Sequence, residues 1–394
     1  MKICLVNSLY HPYSHGGAER SVQFLAESLL SCGHKPIVVT LGEGESLQEI
    51  NGVVVYTIRL ANLYWPFRDI TSKRLIKPIW HVVDSFNPVM ARKVARILEI
   101  EKPDIVHCNN LGGFSVAIWL EIKKRNIPLV HTLRDYYLLC PRTSMFKNAR
   151  NCEKQCLICS IYSMPKKMLS SAVDCVVGIS EFILHKHLDF GLFPSAKRFT
   201  VHNSYGSNSI IRKINTSSDR LTFGYIGRIH SSKGVEDVLE AFISLSPSKT
   251  AFVVAGKGDA QYVSFLRERY NTENISFIGH VAPEIYYQQV DVSIVPSLWH
   301  EPLGRTVLES YAFGVPVIGS NRGGIPEIID EGKTGFIFDP ANTTSLLLKM
   351  RLFAENVDLH QELRDGCLEK AKQFLPARIA TQYLDIYNKA SRDK

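Results

Sequence analysis

Short apolar runs alternate with helix-periodic segments along nearly the whole chain. Ile3–Val6, Asp104–His107, Leu129–Leu133 and Asp174–Ile179 each read as a buried strand. After the first run, Ala18, Val22, Leu25, Ala26 and Leu29 recur at helical spacing and Gly33 ends the helix. Pro36–Leu41, Val53–Arg59 and Phe199–His202 are further strands, and Phe114–Lys124 is a helix. Alternation of this kind builds doubly wound parallel sheets. The pattern restarts at Leu221–Gly227 and continues through Ala251–Ala255, Ile275–Gly279, Val292–Val295 and Val315–Gly319. Ligands of such sheets bind at the carboxyl ends of strands, so the loops after these runs are where chemistry is expected.

A chain of 394 residues is too long for one core. Ser204–Asp219 turns polar and Ser/Asn-rich, which reads as a linker. The expected division is residues 1–205, a linker at 206–219, and 220–375. The net charge of +8 suits an anionic ligand or an anionic membrane surface and gives no basis for nucleic acid. Lys2–Ser8 reads at once as a strand rather than an export signal, and no apolar run reaches the roughly 18 residues of a membrane span. The expected place is the cytoplasm, with peripheral attachment at the inner face of the membrane.

The second half carries the charged pattern. Arg228 follows the Leu221 strand, and Lys233 comes five residues later, before a helix with Val235, Val238, Leu239 and Phe242 on one face. Two fixed cations at one strand end can neutralise a diphosphate leaving group without a metal. Gly256-Lys257-Gly258 forms a turn able to pass under a ribose or base. Glu301 and Glu309 lie eight apart around Pro302 and Gly304. With Pro302 in a helix first turn, Glu301 stands at the helix N-terminus and Glu309 about two turns along, roughly 12 Å away. The N–H groups of Leu303, Gly304, Arg305 and Thr306 then face an anion at the positive helix end. That spacing matches a hexose at one end of a nucleotide sugar and a ribose at the other.

These motifs, G-R-x(4)-K-G at Gly227–Gly234 and E-x7-E at Glu301–Glu309, resemble those of retaining glycosyltransferases of family four, which have the GT-B fold. The resemblance covers nearly the whole chain. It implies two Rossmann-like domains facing across a cleft, with residues 376–394 as a helix packing back on the first. It implies transfer of a sugar from a nucleotide diphosphate sugar to an acceptor hydroxyl, with Glu301 on the donor sugar and Glu309 on the ribose. It also implies that Gly16-Gly17 form the donor-phosphate loop and that backbone near Val281 contacts the base. Where the family carries a histidine after T-x, this chain has Arg134, a permanent cation with a catalytic role at the donor phosphate or an anionic acceptor. No Asp-x-Asp occurs, so no catalytic metal is expected. The acceptor is expected to be a saccharide or lipid-linked saccharide of surface-polysaccharide synthesis. Two rivals stay open: a sugar-nucleotide 2-epimerase of similar fold, and a non-catalytic sugar-nucleotide-binding subunit.

Two stretches lie outside that frame. Cys140, Cys152, Cys156 and Cys159 have spacing able to wrap a structural zinc, with an iron–sulfur cluster, separately packed thiols or disulfides as alternatives. The 61–78 segment is irregular, aromatic and basic, with Tyr64, Trp65, Phe67, Arg68, Lys73, Arg74 and Lys77. It is expected on the acceptor side, either as a contact for acidic lipid headgroups or as a solvated excursion.

Overall fold

The structure, a computed structural model, describes the chain apart from residues 14–15, 68–74, 207–219, 357 and 393–394 and the Thr343 side chain. The described residues form two compact units. One comprises Met1–Met145, Cys152–Gly206 and Pro376–Lys394; the other comprises Phe146–Asn151 and Ser207–Leu375.

The first unit begins β1 (Lys2–Val6), α1 (Gly17–Ser31), β2 (Lys35–Gly42), β3 (Ser46–Ile50) and β4 (Val53–Arg59). It continues with α2 (Lys77–Ser85), α3 (Pro88–Glu101), β5 (Ile105–Cys108), α4 (Ala117–Lys124) and β6 (Leu129–Leu133). A small hairpin, β7 (Phe146–Lys147) and β8 (Arg150–Asn151), groups with the second unit. The first unit resumes with α5 (Leu157–Leu169), β9 (Cys175–Gly178), α6 (Glu181–Asp189) and β10 (Lys197–Thr200). Its sheet runs β10-β9-β6-β5-β1-β2-β4-β3, parallel except for β3 against β4. β5, β6 and β9 are buried throughout because helices cover both faces. Strand β3, absent from the sequence reading, is mostly exposed and is joined to β4 by Asn51-Gly52, both at positive φ.

The second unit contains β11 (Leu221–Ile226), α7 (Val235–Phe242), β12 (Thr250–Ala255), α8 (Ala260–Arg269), β13 (Ile275–Gly279) and α9 (Pro283–Gln289). Then come β14 (Val292–Val295), α10 (Arg305–Ala312), β15 (Val317–Ser320), β16 (Gly335–Phe338), α11 (Thr343–Glu355), α12 (Leu359–Glu362) and α13 (Arg364–Ala371). Its sheet is wholly parallel, in the order β13-β12-β11-β14-β15-β16. The core is built from the helix stripe Val235, Val238, Leu239 and Phe242 against Phe223, Phe252 and Ile294.

The last helix, α14 (Pro376–Ser391), belongs to the first unit. Ile379, Tyr383, Ile386 and Tyr387 are buried in one cluster with Ile3, Leu5, Val22, Leu25 and Leu29. Two hydroxyls on that face bond into the sheet. Tyr387 lies 2.7 Å from His107 Nδ1, and Tyr383 lies 3.1 Å from Thr132 Oγ1.

Candidate active site

The order β12-β11-β14-β15 puts the topological switch point of the second unit between β11 and β14, where the crevice at the strand ends takes ligand. Arg228 and Lys233 follow β11, and Glu301 follows β14. The structure therefore brings together Lys233 and Glu301, which lie 68 positions apart in sequence. Their side chains form an ion pair, with the lysine side chain 25% exposed and the glutamate 13%. The same carboxylate oxygen, Oε1, accepts from Ser297 Oγ at 2.6 Å and Trp299 Nε1 at 3.0 Å. Lys233 Nζ also stands 5.1 Å from the Trp299 ring centroid. Arg228 is exposed, and its carbonyl accepts from Tyr225 Oη at 2.7 Å, which fixes the turn that carries it.

The backbone of Glu301 is held by the glycine turn after β15. Gly324 N–H donates to the Glu301 carbonyl at 2.8 Å. Gly323 has φ +62, and a Cβ there would fall 2.0 Å from that carbonyl oxygen, so no other residue fits without displacing Glu301. Gly256 acts similarly at the ends of β11, β12 and β13. Its N–H donates to the Gly279 carbonyl at 2.7 Å, and the Gly227 carbonyl oxygen lies 1.8 Å from where its Cβ would be. Val281, partly exposed, follows in the loop after β13.

The expected helix start is corrected. Pro302 lies before the helix, which begins at Arg305 with Gly304 as N-cap at φ +93. A left-handed glycine turns the chain by itself there, so proline is not needed in the first turn. Glu301 consequently precedes the helix, and Glu309 lies on its second turn. Leu303 is buried, while Arg305 and Thr306 open α10, whose first N–H groups have no intrahelical acceptors. Arg305 Nε donates to Glu309 Oε1 at 2.9 Å, so the carboxylate expected at a ribose is paired with its own helix neighbour.

In the first unit the switch point falls between β1 and β5. Gly16 caps α1, with its N–H donating to Glu19 Oε2 at 3.1 Å, and Gly17 opens the helix. Arg134 follows β6 and is buried. Its Nε donates to Asn109 Oδ1 at 2.9 Å, and a terminal nitrogen donates to Asn203 Oδ1 at 2.6 Å. Arg134, Asn109 and Asp135 line a small recess at the ends of β5 and β6. Burial pushes the Asp135 carboxyl up to about 6. His131 is no substitute for the absent histidine. It is buried between the Trp119 and Phe193 rings, and desolvation lowers its pKa to about 3.

Of the four cysteines, three converge. Cys140 and Cys159 thiols lie 3.7 Å apart, and burial followed by a hydrogen bond to Cys156 raises the Cys159 thiol. Cys152 is partly exposed, with its N–H on the Met145 carbonyl. None of the nine cysteines is in a disulfide. Among the described residues, no three His, Cys, Asp or Glu side chains are grouped to hold a metal ion as they stand. The cysteine stretch runs into α5, whose inward residues are polar and therefore hide its period. Ser297 and Trp299 carry no motif, and their only sequence signal is spacing of four and two before Glu301.

Residues 15–205 match the family model described as glycosyltransferase family 4, and residues 207–374 match that of glycosyl transferases group 1. The chain is 38% identical over 330 residues to an uncharacterized 42.6 kDa protein in the cps region of Klebsiella pneumoniae, covering 83% of this chain and 87% of that one. It is 26% identical over 248 residues to the O-antigen biosynthesis glycosyltransferase WclY of Escherichia coli, covering 59% and 68%. Among solved structures it resembles sucrose-phosphate synthase from Thermosynechococcus elongatus, with a TM-score of 0.79, 19% identity and full coverage of both chains. It also resembles Anabaena HepE in complex with UDP and glucose, with a TM-score of 0.73, 18% identity, and 99% and 100% coverage. The chain belongs to glycosyltransferase family 4, and its two Rossmann-like units are those of the GT-B fold.

Proposed function

We propose that the protein transfers a glycosyl group from a nucleotide diphosphate sugar to an acceptor hydroxyl with retained anomeric configuration and without a catalytic metal. The observation that carries this is the Lys233–Glu301 pair at the β11/β14 switch point, beside the start of α10. In the structure Glu301 pairs with Lys233. When donor enters, the diphosphate competes for the ammonium, and Glu301 is released to accept from sugar hydroxyls. Lys233, Arg228 and the amides of Leu303–Thr306 then stabilise charge as the diphosphate leaves. The leaving phosphate takes the acceptor proton, so no protein nucleophile is required. Glu309 turns from Arg305 to the ribose, and Gly16-Gly17 and Arg134 are anion-binding groups at the strand ends of the first unit itself.

The acceptor is a saccharide or lipid-linked saccharide of a surface polysaccharide, in keeping with the cps-region and O-antigen settings named for the relatives. Donor-dependent release of nucleoside diphosphate that requires an acceptor tests the transfer, and the anomeric coupling in the product tests retention. Release without acceptor, or inversion, overturns the respective step.

Zinc on Cys140, Cys152, Cys156 and Cys159 remains part of the proposal. Thiolates bound at ~2.3 Å to one tetrahedral ion lie about 3.8 Å apart, close to the separation of the Cys140 and Cys159 thiols. Binding would tighten Cys156, which already hydrogen-bonds Cys159, and draw in Cys152.

A further inference from the structure

Helices α2 and α5 pack together in the first unit, and α5 has its polarity reversed. The inward side of α5 is polar. Ser163 and Lys166 are buried, and Lys166 Nζ donates to the Tyr137 carbonyl at 2.8 Å. Tyr162 Oη donates to the Pro78 carbonyl at 3.2 Å, and its ring lies 5.6 Å from that of His81 on α2. The outward side is apolar. Leu157, Ile161, Met164 and Met168 recur one or two turns apart and are 77%, 58%, 60% and 68% exposed. On α2, Ile79 and Val82 are exposed as well, as is Leu75 in the turn before it. A surface helix of a globular protein shows the opposite arrangement. Single exposed apolar residues are ordinary, but a full apolar row on one helix with further exposed apolar residues on the helix packed against it marks an interaction surface.

Charge and residue type select the occupant. Lys77 and Lys167 are exposed on these helices, whereas Asp84, the one acid on them, is buried and accepts from Gly113 N–H at 2.5 Å. Protein-binding hot spots favour Trp, Tyr and Arg. Aliphatic and thioether rows rimmed by lysine match the acyl–headgroup boundary of an anionic bilayer. Trp65, partly exposed on the chain leading into α2, supplies an amphipathic ring of the kind that sits at headgroup level. No helix among the described residues is long and apolar enough to cross a membrane, so these helices would lie on it.

We propose that the outward face of α2 and α5 docks the first unit on an anionic lipid surface. The proposal deepens the reading of a lipid-linked acceptor, yet vesicle binding is measured without turnover, so either can fail alone. The full chain is floated with vesicles of phosphatidylcholine, with and without phosphatidylglycerol. It is expected to bind the anionic vesicles, less so as salt rises. Ile161→Glu with Met164→Glu is expected to lower binding at least about tenfold, as desolvating a carboxylate at the interface requires. Ile79→Glu is expected to act in the same direction. Leu348→Glu, an exposed site on α11, leaves binding unchanged. Circular dichroism confirms that each variant is folded. Failure of the wild type to bind anionic vesicles overturns the proposal, as does wild-type binding by both patch variants. Loss of a dimer in the patch variants, with vesicle binding unchanged, overturns it in favour of a second copy as occupant.

Discussion

Glu301→Gln separates a switch from a static ion pair. In the structure Glu301 Oε1 alone accepts from Lys233, Ser297 and Trp299. Glutamine supplies a carbonyl oxygen to all three donors, so geometry is kept and charge is lost. Hydrogen bonds to a charged group contribute about 1.5–3 kcal/mol, and losing the carboxylate charge moves the Lys233 contact from the upper toward the lower end of that range, a weakening of about 1 kcal/mol. Lys233 is a quarter exposed, and solvent screening brings this toward the lower side. If diphosphate must take Lys233 from Glu301, that loss appears as tighter nucleoside diphosphate binding, about three- to fivefold in Kd. Turnover should fall all the same, because the carboxylate no longer accepts from sugar hydroxyls as charge develops. Lys233→Ala should instead weaken diphosphate binding and lower kcat about 100-fold or more, comparable to removing one oxyanion donor. Isothermal titration with a panel of nucleoside diphosphates, followed by steady-state kinetics with the cognate donor, measures both. If Glu301→Gln weakens diphosphate binding as much as Lys233→Ala does, the pair is one structural unit and the switch is refuted.

Glu309→Ala should raise donor KM with little change in kcat, since ribose contacts are alike in ground and transition states; an equal fall in kcat would assign it to the chemistry. Gly323→Ala should lower Tm by several degrees, because positive φ alone costs about 1–2 kcal/mol and the Cβ meets the Glu301 carbonyl; an unchanged melting curve would show that the turn is not a clasp. Elemental analysis should find about one zinc per chain, lost in Cys156→Ser with Cys159→Ser, and metal-free, fully folded protein would end that proposal. Burial lowers the pKa values of His131 to about 3, His187 to about 4 and His107 well below its ordinary value. As pH falls below the unfolded value near 6.5, the unfolded chain takes protons that the folded one refuses, and stability drops. Below about 6, burial-raised Asp84 and Asp135 act oppositely, since the folded state then takes protons first. Thermal melts from pH 7 to 6 should therefore show falling Tm, and below 6 the fall should be smaller than the histidines alone would give; a Tm that rises between 7 and 6 would contradict the assignment.

Much of the doubly wound pattern was legible because buried parallel strands are short apolar runs, as at Ile105–Cys108 and Val292–Val295, and their helices keep a clean stripe, as in α7. Elements that break this rule were harder to read. Strand β3, Ser-Leu-Gln-Glu-Ile, is an exposed edge with little apolar content, although Asn51-Gly52 after it is a strong hairpin signal. Strand β16 opens with Gly335, where the chain passes against Val317. Helix α5 hides its period because Ser163 and Lys166 face inward and Leu157 and Ile161 face out. At the site, the charged residues were readable from spacing along the chain. Their pairing was not, since it depends on β11 and β14 becoming neighbours. The basic residues Arg68, Lys73 and Arg74, which motivated the membrane expectation, lie outside the described residues, whereas Lys77 is exposed at the start of α2.

The position of α14 sets an order of events during synthesis. Its Tyr383 and Tyr387 complete a core begun by Ile3 and Leu5, yet they leave the ribosome after all of the second unit. The first unit must therefore wait, with part of its interior open to water, while the second can close around residues already made. A chaperone that shields nascent apolar surface would find its target in the part of the first unit made before the second, and removing residues after 375 should release that part as aggregation-prone while leaving the later-made unit folded.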